Sequence, residues 1–257
     1  MPLQGAVLII GSLLWDEDKG RTHWRTERLK EKNAKPVAVP IRYGRFSTNR
    51  GAYTMVFSRL CYRHTNLGQA VIVPFAKSIT TFDDLRDEAD RLATAEGLGD
   101  NWEWGAVGLL RKPVSAVPEE YLEQWTRYFR ERSVHYQAFV GQTRSETPAI
   151  SRNGFLNLAW PVSGKAPAKC DFLLATPTKA RIQNRANLKR YPRTGEVAAL
   201  VLNDKTNYFI NNVLHGIRTS HDISIWKAVA KVQPTFTAKW PQVSSLFGKR
   251  TREKRAG

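Results

Sequence analysis

The stretch that most constrains this chain is Val7-Leu8-Ile9-Ile10 followed by Gly11-Ser12. Four aliphatic residues in a row, bounded by a turn signal, fit a strand buried on both faces better than a helix of that length. Gly11 and Ser12 break the strand, and Leu13-Leu14-Trp15 resumes an apolar run. A glycine at a strand end lets the backbone approach a ligand closely. Successive N–H groups there can hold a carboxylate or a developing oxyanion. The competing reading is an ordinary strand-to-loop turn.

A second stretch bears on chemistry. Thr80 or Thr81 can cap a helix whose first turn carries Asp83 and Asp84, where the helix dipole favours acids. Phe82, Leu85, Ala89 and Leu92 then recur at helical spacing, and Glu96 takes the next position on that apolar stripe, directly before Gly97 as a helix stop. A carboxyl aimed at a core or cavity has its pKa raised by burial, which readies it for proton transfer near neutral pH. The alternative is a helix that frays before Glu96 and leaves it in water.

Together these motifs resemble the γ-glutamylcyclotransferase-like family. Its first strand ends in Tyr-Gly-Ser-(Asn/Leu)-Leu, and the cation-transport-regulator-like branch reads Tyr-Gly-Ser-Leu-(Met/Ile)-Trp. Here Ile10-Gly11-Ser12-Leu13-Leu14-Trp15 is similar, with Ile10 standing where the family has Tyr. Leu92-Ala93-Thr94-Ala95-Glu96-Gly97 looks like the family's Leu-x-x-x-Glu-Gly helix end, and the 85 residues from Gly11 to Glu96 match its separation. Ile41-Arg42-Tyr43-Gly44-Arg45-Phe46 loosely resembles a further strand, Val-x-Gly-(Tyr/Trp)-Arg-Arg-x-Phe. Pro118-Glu119-Glu120-Tyr121, followed by Tyr136, resembles a later Pro-Ser-x-x-Tyr helix and its downstream Tyr.

The resemblance covers residues 5–140. It implies an α+β fold with a small mixed β-barrel and flanking helices. It also implies cyclisation of a γ-glutamyl amine or peptide to 5-oxoproline, with release of the amine. Glu96 would be the general acid/base. Ile10, Gly11, Ser12, Leu13 and Leu14 would bind the small anionic γ-glutamyl substrate, and either Tyr121 or Tyr136 would line its pocket. The reaction asks for no cofactor, metal or nucleotide. The runner-up is a non-catalytic binding protein on the same fold.

Composition sets the outer bounds. The chain has 257 residues, and its 42% apolar content with 8 Trp and 11 Phe supplies a full core. Cys61 and Cys170 are too few for a disulfide framework and lack Cys-x-x-Cys spacing, which favours a reducing compartment. With no basic leader and no apolar run approaching about 18 residues, the expectation is a cytoplasmic protein without a membrane partner.

The net charge is +17. It is uneven: residues 171–257 hold 16 basic and 5 acidic residues. That half, with Tyr191, Tyr208, Phe209, Trp226 and Trp240 among its cations, is where a nucleic-acid surface would lie. No Walker loop, Gly-x-Gly-x-x-Gly or Gly-x-Ser-x-Gly motif occurs, so Ser12 is not an elbow nucleophile. His23, His64, His135, His215 and His221 show no metal-ligand spacing.

Along the chain, residues 37–46, 53–58, 68–75 and 102–110 read as strands, and Glu119 to Arg130 reads as a helix. After a proline-rich stretch the first domain is expected to end at residue 145. A basic extension, 146–257, packed on that domain, is expected to follow, with strands at 171–175 and 196–202, a helix at 223–232 and a mobile tail from Lys249.

Overall fold

A computed structural model describes residues 1–63, 66–102, 104–114, 116–133, 146–164, 166–181 and 190–253. The chain runs β1 (Gly5–Ile9), α1 (Lys19–Arg28), β2 (Lys35–Val39), β3 (Ile41–Ser47), β4 (Ala52–Phe57), α2 (Leu60–Arg63), β5 (Gly68–Pro74) and α3 (Phe82–Glu96). It continues with β6 (Gly108–Arg111), α4 (Glu119–Arg132), β7 (Val162–Ser163), β8 (Ala166–Pro167) and β9 (Phe172–Ala175). The last helices are α5 (Thr194–Val201), α6 (Tyr208–Leu214), α7 (Asp222–Val232), α8 (Pro234–Ala238) and α9 (Pro241–Glu253).

The fold is α+β. Five strands form one mixed sheet in the order β2-β5-β1-β9-β6. β1 runs antiparallel to β5 and parallel to β9. All five residues of β1 are buried, as an unbroken apolar run requires of a central strand. β3 and β4 form a separate antiparallel ribbon, so the described strands make an open sheet plus ribbons, with no closed barrel among them. A bulge between Tyr43 and Arg45 interrupts β3, where a side chain on Gly44 would meet Val56 Cγ2 at 2.4 Å. No helix among the described residues is long and apolar enough to cross a membrane.

The expected boundary at 145/146 runs through this sheet. β9 comes from the expected extension, yet it lies between β1 and β6, and its four residues are all fully buried. One hydrophobic cluster takes in Val7 and Ile9 from the first part together with Phe209, Ile210 and Trp226 from the second. The second half therefore completes the core instead of resting on it.

α3 starts at Thr81, whose hydroxyl accepts from Asp84 N while the Asp84 side chain accepts from Thr81 N. Leu85, Ala89 and Leu92 are fully buried, and Gly97 ends the helix at φ +73. Residues 194–201 form helix α5 where a strand was expected: Glu196 accepts from Arg193 N and pairs with Arg190, and Val197, Ala198 and Val201 share its buried face. A short apolar run of that kind carries no decisive period.

The expected strand from Trp102 shrinks to β6. Trp102 adopts φ +46, with its ring held against Tyr128 and Phe129, and so turns the chain before any ladder begins. The tail expected to be mobile is helical through Glu253. Cys61 and Cys170 are buried free thiols.

Candidate active site

β1 and β9 are parallel neighbours, so the residues that leave them, Gly11-Ser12 and Thr176, emerge at one edge of the sheet. The C-terminus of α3 arrives at the same edge. These segments, the β3–β4 ribbon and the start of α6 enclose a cavity of about 490 Å³, and Ile10, Gly11, Ser12 and Glu96 all line it.

Glu96 is the last residue of α3 and keeps 17% of its side chain accessible. Its Oε1 accepts from Thr176 Oγ1 at 2.8 Å, and its Oε2 is 3.7 Å from Arg21 Nη2. Burial raises its pKa above the ordinary value, against the lowering pull of Arg21, the Thr176 hydrogen bond and the Arg45 and Arg50 charges.

Asp16 goes the other way. Burial pushes it up, but the Arg50 hydrogen bond, the Asp18 N–H and the Arg21 and Arg50 charges bring it below the ordinary value. Two carboxyls in one cavity are thus driven apart, one as a fixed counter-ion and the other as a group able to exchange a proton.

The loop after β1 is clamped by three arginines. Arg21 Nη1 donates to Ser12 Oγ at 2.9 Å and to Asp16 Oδ2 at 2.7 Å, and its Nε donates to Ala95 O at 3.1 Å. Arg50 Nη2 donates to the same Ser12 and Asp16 oxygens at 3.1 and 2.9 Å, and its Nη1 to Thr206 Oγ1 at 2.9 Å. Arg25 Nη1 donates to Leu13 O and Asp16 O, both at 2.9 Å.

The carbonyl side of the loop is therefore taken up. Ser12 to Leu14 form a 3-10 turn, and the N–H groups of Gly11, Ser12 and Leu13 have no acceptor among the described residues. The Ser12 hydroxyl accepts from two guanidinium groups, the opposite of what activates a serine nucleophile.

Two further cations line the cavity. Arg45 lies over the Trp104 ring, 4.2 Å from its centroid, and burial lowers its pKa. Neither Arg45 nor Arg181 forms an ion pair among the described residues. Four arginines therefore face two carboxyls: Arg21 and Arg50 pair with Asp16, and Arg21 also reaches Glu96 at 3.7 Å. The net field favours an anionic occupant.

No family model, curated protein or solved structure matches the chain.

The remaining sequence candidates fall elsewhere. Leu13 is buried in the core and Leu14 packs against it, and neither lines the cavity. Tyr121 lies away from the cavity, packing on Phe82 and donating its hydroxyl to Thr80 O at 2.8 Å. That bond fixes it as a brace between α4 and the start of α3. Tyr136 lies outside the described residues, as do His64 and His135.

Of the aromatics sought for a nucleic-acid platform, Tyr191, Tyr208, Phe209 and Trp226 are buried, and Trp240 is half-buried against the core. Among the described residues no cluster of three His, Cys, Asp or Glu side chains could hold a metal. Sequence reading missed Arg21, Arg45, Arg50, Arg181 and Thr176 as cavity residues. A run of polar residues after Trp15 was visible, but the partners of each arginine are set by packing.

A side chain on Gly11 would lie 2.6 Å from Tyr208 Oη, and Tyr208 is buried and has little room to retreat. Gly11→Ala is therefore expected to cost about 1–3 kcal/mol in urea unfolding. Unchanged stability would show that the Tyr208 ring yields.

Proposed function

We propose that this cavity cyclises a γ-glutamyl amine or peptide to 5-oxoproline. The observation that carries the reading is the meeting of Glu96, a carboxyl of raised pKa, with a loop whose Gly11 and Ser12 N–H groups find no acceptor among the described residues. The free α-amino nitrogen of the substrate attacks its own side-chain carbonyl carbon, closing a five-membered ring. Glu96 takes the ammonium proton and returns it to the departing amine as the original C–N bond breaks. The Gly11 and Ser12 N–H groups, which line the cavity, stabilise the oxyanion between these steps. Because the attack is intramolecular, much of the entropic cost is already met.

Arg45 and Arg181 suit the substrate's carboxylate groups. Arg45→Gln is expected to raise KM about tenfold with a smaller change in kcat, the worth of one charge-assisted hydrogen bond. The open sheet with its β3–β4 ribbon would serve as the γ-glutamylcyclotransferase-like scaffold, with β3 leaving the sheet at Pro40 to wall the cavity.

The test is 5-oxoproline release from a panel of γ-glutamyl amines and peptides by the purified full chain. Release that depends on Glu96 supports the reading. Binding of a γ-glutamyl compound without turnover would instead support a non-catalytic binding protein, a role the same arginines would suit.

A further inference from the structure

The second half of the chain places one more polar group in the cavity. Tyr208 opens α6, and Asp204 Oδ2 accepts from its N–H at 2.5 Å. Its ring meets Trp15 edge-on at 5.9 Å and lies 5.5 Å from the Arg50 guanidinium. The ring is 3% exposed, so its position is set by packing on all sides. The hydroxyl occupies the space that a side chain at position 11 would fill. Gly11, and no larger residue, lets the phenol stand against the loop.

A phenol has one proton to donate and can accept through its lone pairs. Met55 N–H takes an acceptor site of Tyr208 Oη at 3.2 Å. The Asn212 side chain stands on the donor side of the phenol as well, no group among the described residues accepts the Tyr208 proton, and Tyr208 is one of the residues lining the polar cavity. Burial above all pushes its pKa up to about 12, so the phenol remains a donor at neutral pH. A buried donor beside an N–H-rich loop, with no acceptor among the described residues, is placed to give its hydrogen bond to a ligand in the cavity.

We infer that Tyr208 contacts the substrate, its hydroxyl donating a hydrogen bond to the carbonyl oxygen held at the Gly11-Ser12 loop and strengthening that bond as the oxygen becomes an oxyanion. This rests on the cyclisation reading. It makes the second half of the chain part of the active site, with no proton transfer assigned to Tyr208. Glu96 remains the group that moves the proton.

The experiment compares 5-oxoproline release by the wild-type full chain and by Tyr208→Phe, on whichever γ-glutamyl compound of the panel turns over fastest. The expected result is a fall in kcat of about 10²–10³-fold, the usual cost of one oxyanion donor, with KM changed less than about threefold. Because the phenylalanine also leaves Met55 N–H without its acceptor, a second arm replaces Tyr208 with mono-, di- and trifluorotyrosine. These keep the oxygen on Met55 while making the phenol progressively more acidic.

A kcat that varies systematically with phenol acidity supports the contact, since a purely structural ring would not produce it. Active wild type with Tyr208→Phe at the wild-type kcat overturns the inference and leaves the cyclisation reading standing. So does a rate flat across the fluorotyrosine series. A wild-type chain that releases no 5-oxoproline from any panel member overturns both.

Discussion

Glu96→Gln is expected to lower kcat for 5-oxoproline release by about three orders of magnitude while leaving the fold intact, in the range lost with a general acid/base. The amide matches the carboxyl in shape and can still accept from Thr176 Oγ1, so the C-terminal turn of α3 keeps its tie to the residue after β9. What it cannot do is take a proton from the ammonium group. The pH dependence should follow. Wild-type kcat/KM needs Glu96 ionised, and its raised pKa moves the acid limb above the ordinary carboxylate value of 4.5.

Stability carries the opposite signature to that of an ordinary paired acid. Because the folded state holds the Glu96 proton more tightly than the unfolded chain, stability falls as pH rises from 4.5 through the raised folded value. The glutamine variant lacks this loss, so it should be as stable as wild type or more so at pH 7. Urea unfolding at pH 4 and pH 7 reads the difference. A variant with full activity sinks the assignment of Glu96, and one destabilised at pH 7 shows that the Arg21 contact outweighs desolvation.

A chain ending at residue 145 is expected not to fold. Truncation there removes β9 from the middle of the sheet, leaving one edge of β1 and the partner edge of β6 unpaired. It also takes away Phe172, Leu173, Leu174, Phe209 and Ile210, all buried to 2% exposure or less. Each large apolar side chain lost from a core costs about 2–5 kcal/mol, so these five alone cost as much as the roughly 5–15 kcal/mol by which a domain is stable. Near-UV circular dichroism and a urea titration of the fragment are the measurements. A cooperative transition with native aromatic signal would show that the first part is a domain in its own right.

Local features were legible because their causes are local. The buried run of β1 needs only four adjacent aliphatic residues. α3 is written in a capping box at Thr81, an apolar stripe and Gly97 as its stop. Glu96 was visible as a carboxyl out of place on that stripe, and Gly11-Ser12 as a break after a strand. That both line one cavity was an expectation from resemblance, and it took the fold to bring them to the same edge.

Other features depend on partners far along the chain. A short apolar run such as 194–201 satisfies helix and strand equally, and its capping partners decided the matter. β9 reads as a strand from its residues, but nothing in them says that it pairs parallel to β1 across more than 160 positions of sequence. The bulge at Gly44, the clamp of Arg21 and Arg50 on Asp16 and the approach of Tyr208 to Gly11 are of the same kind.

Periodicity and capping act over three or four residues and can be read in order along the chain. Whether an arginine is paired, a tyrosine buried or a carboxyl's pKa raised depends on which distant atoms displace its water. The sequence by itself determined a central strand, a capped helix and the position of Glu96 at its end. Only the tertiary structure decided that the second half of the chain lies in the sheet and walls the cavity, because long-range packing chooses among strands that local chemistry leaves equivalent.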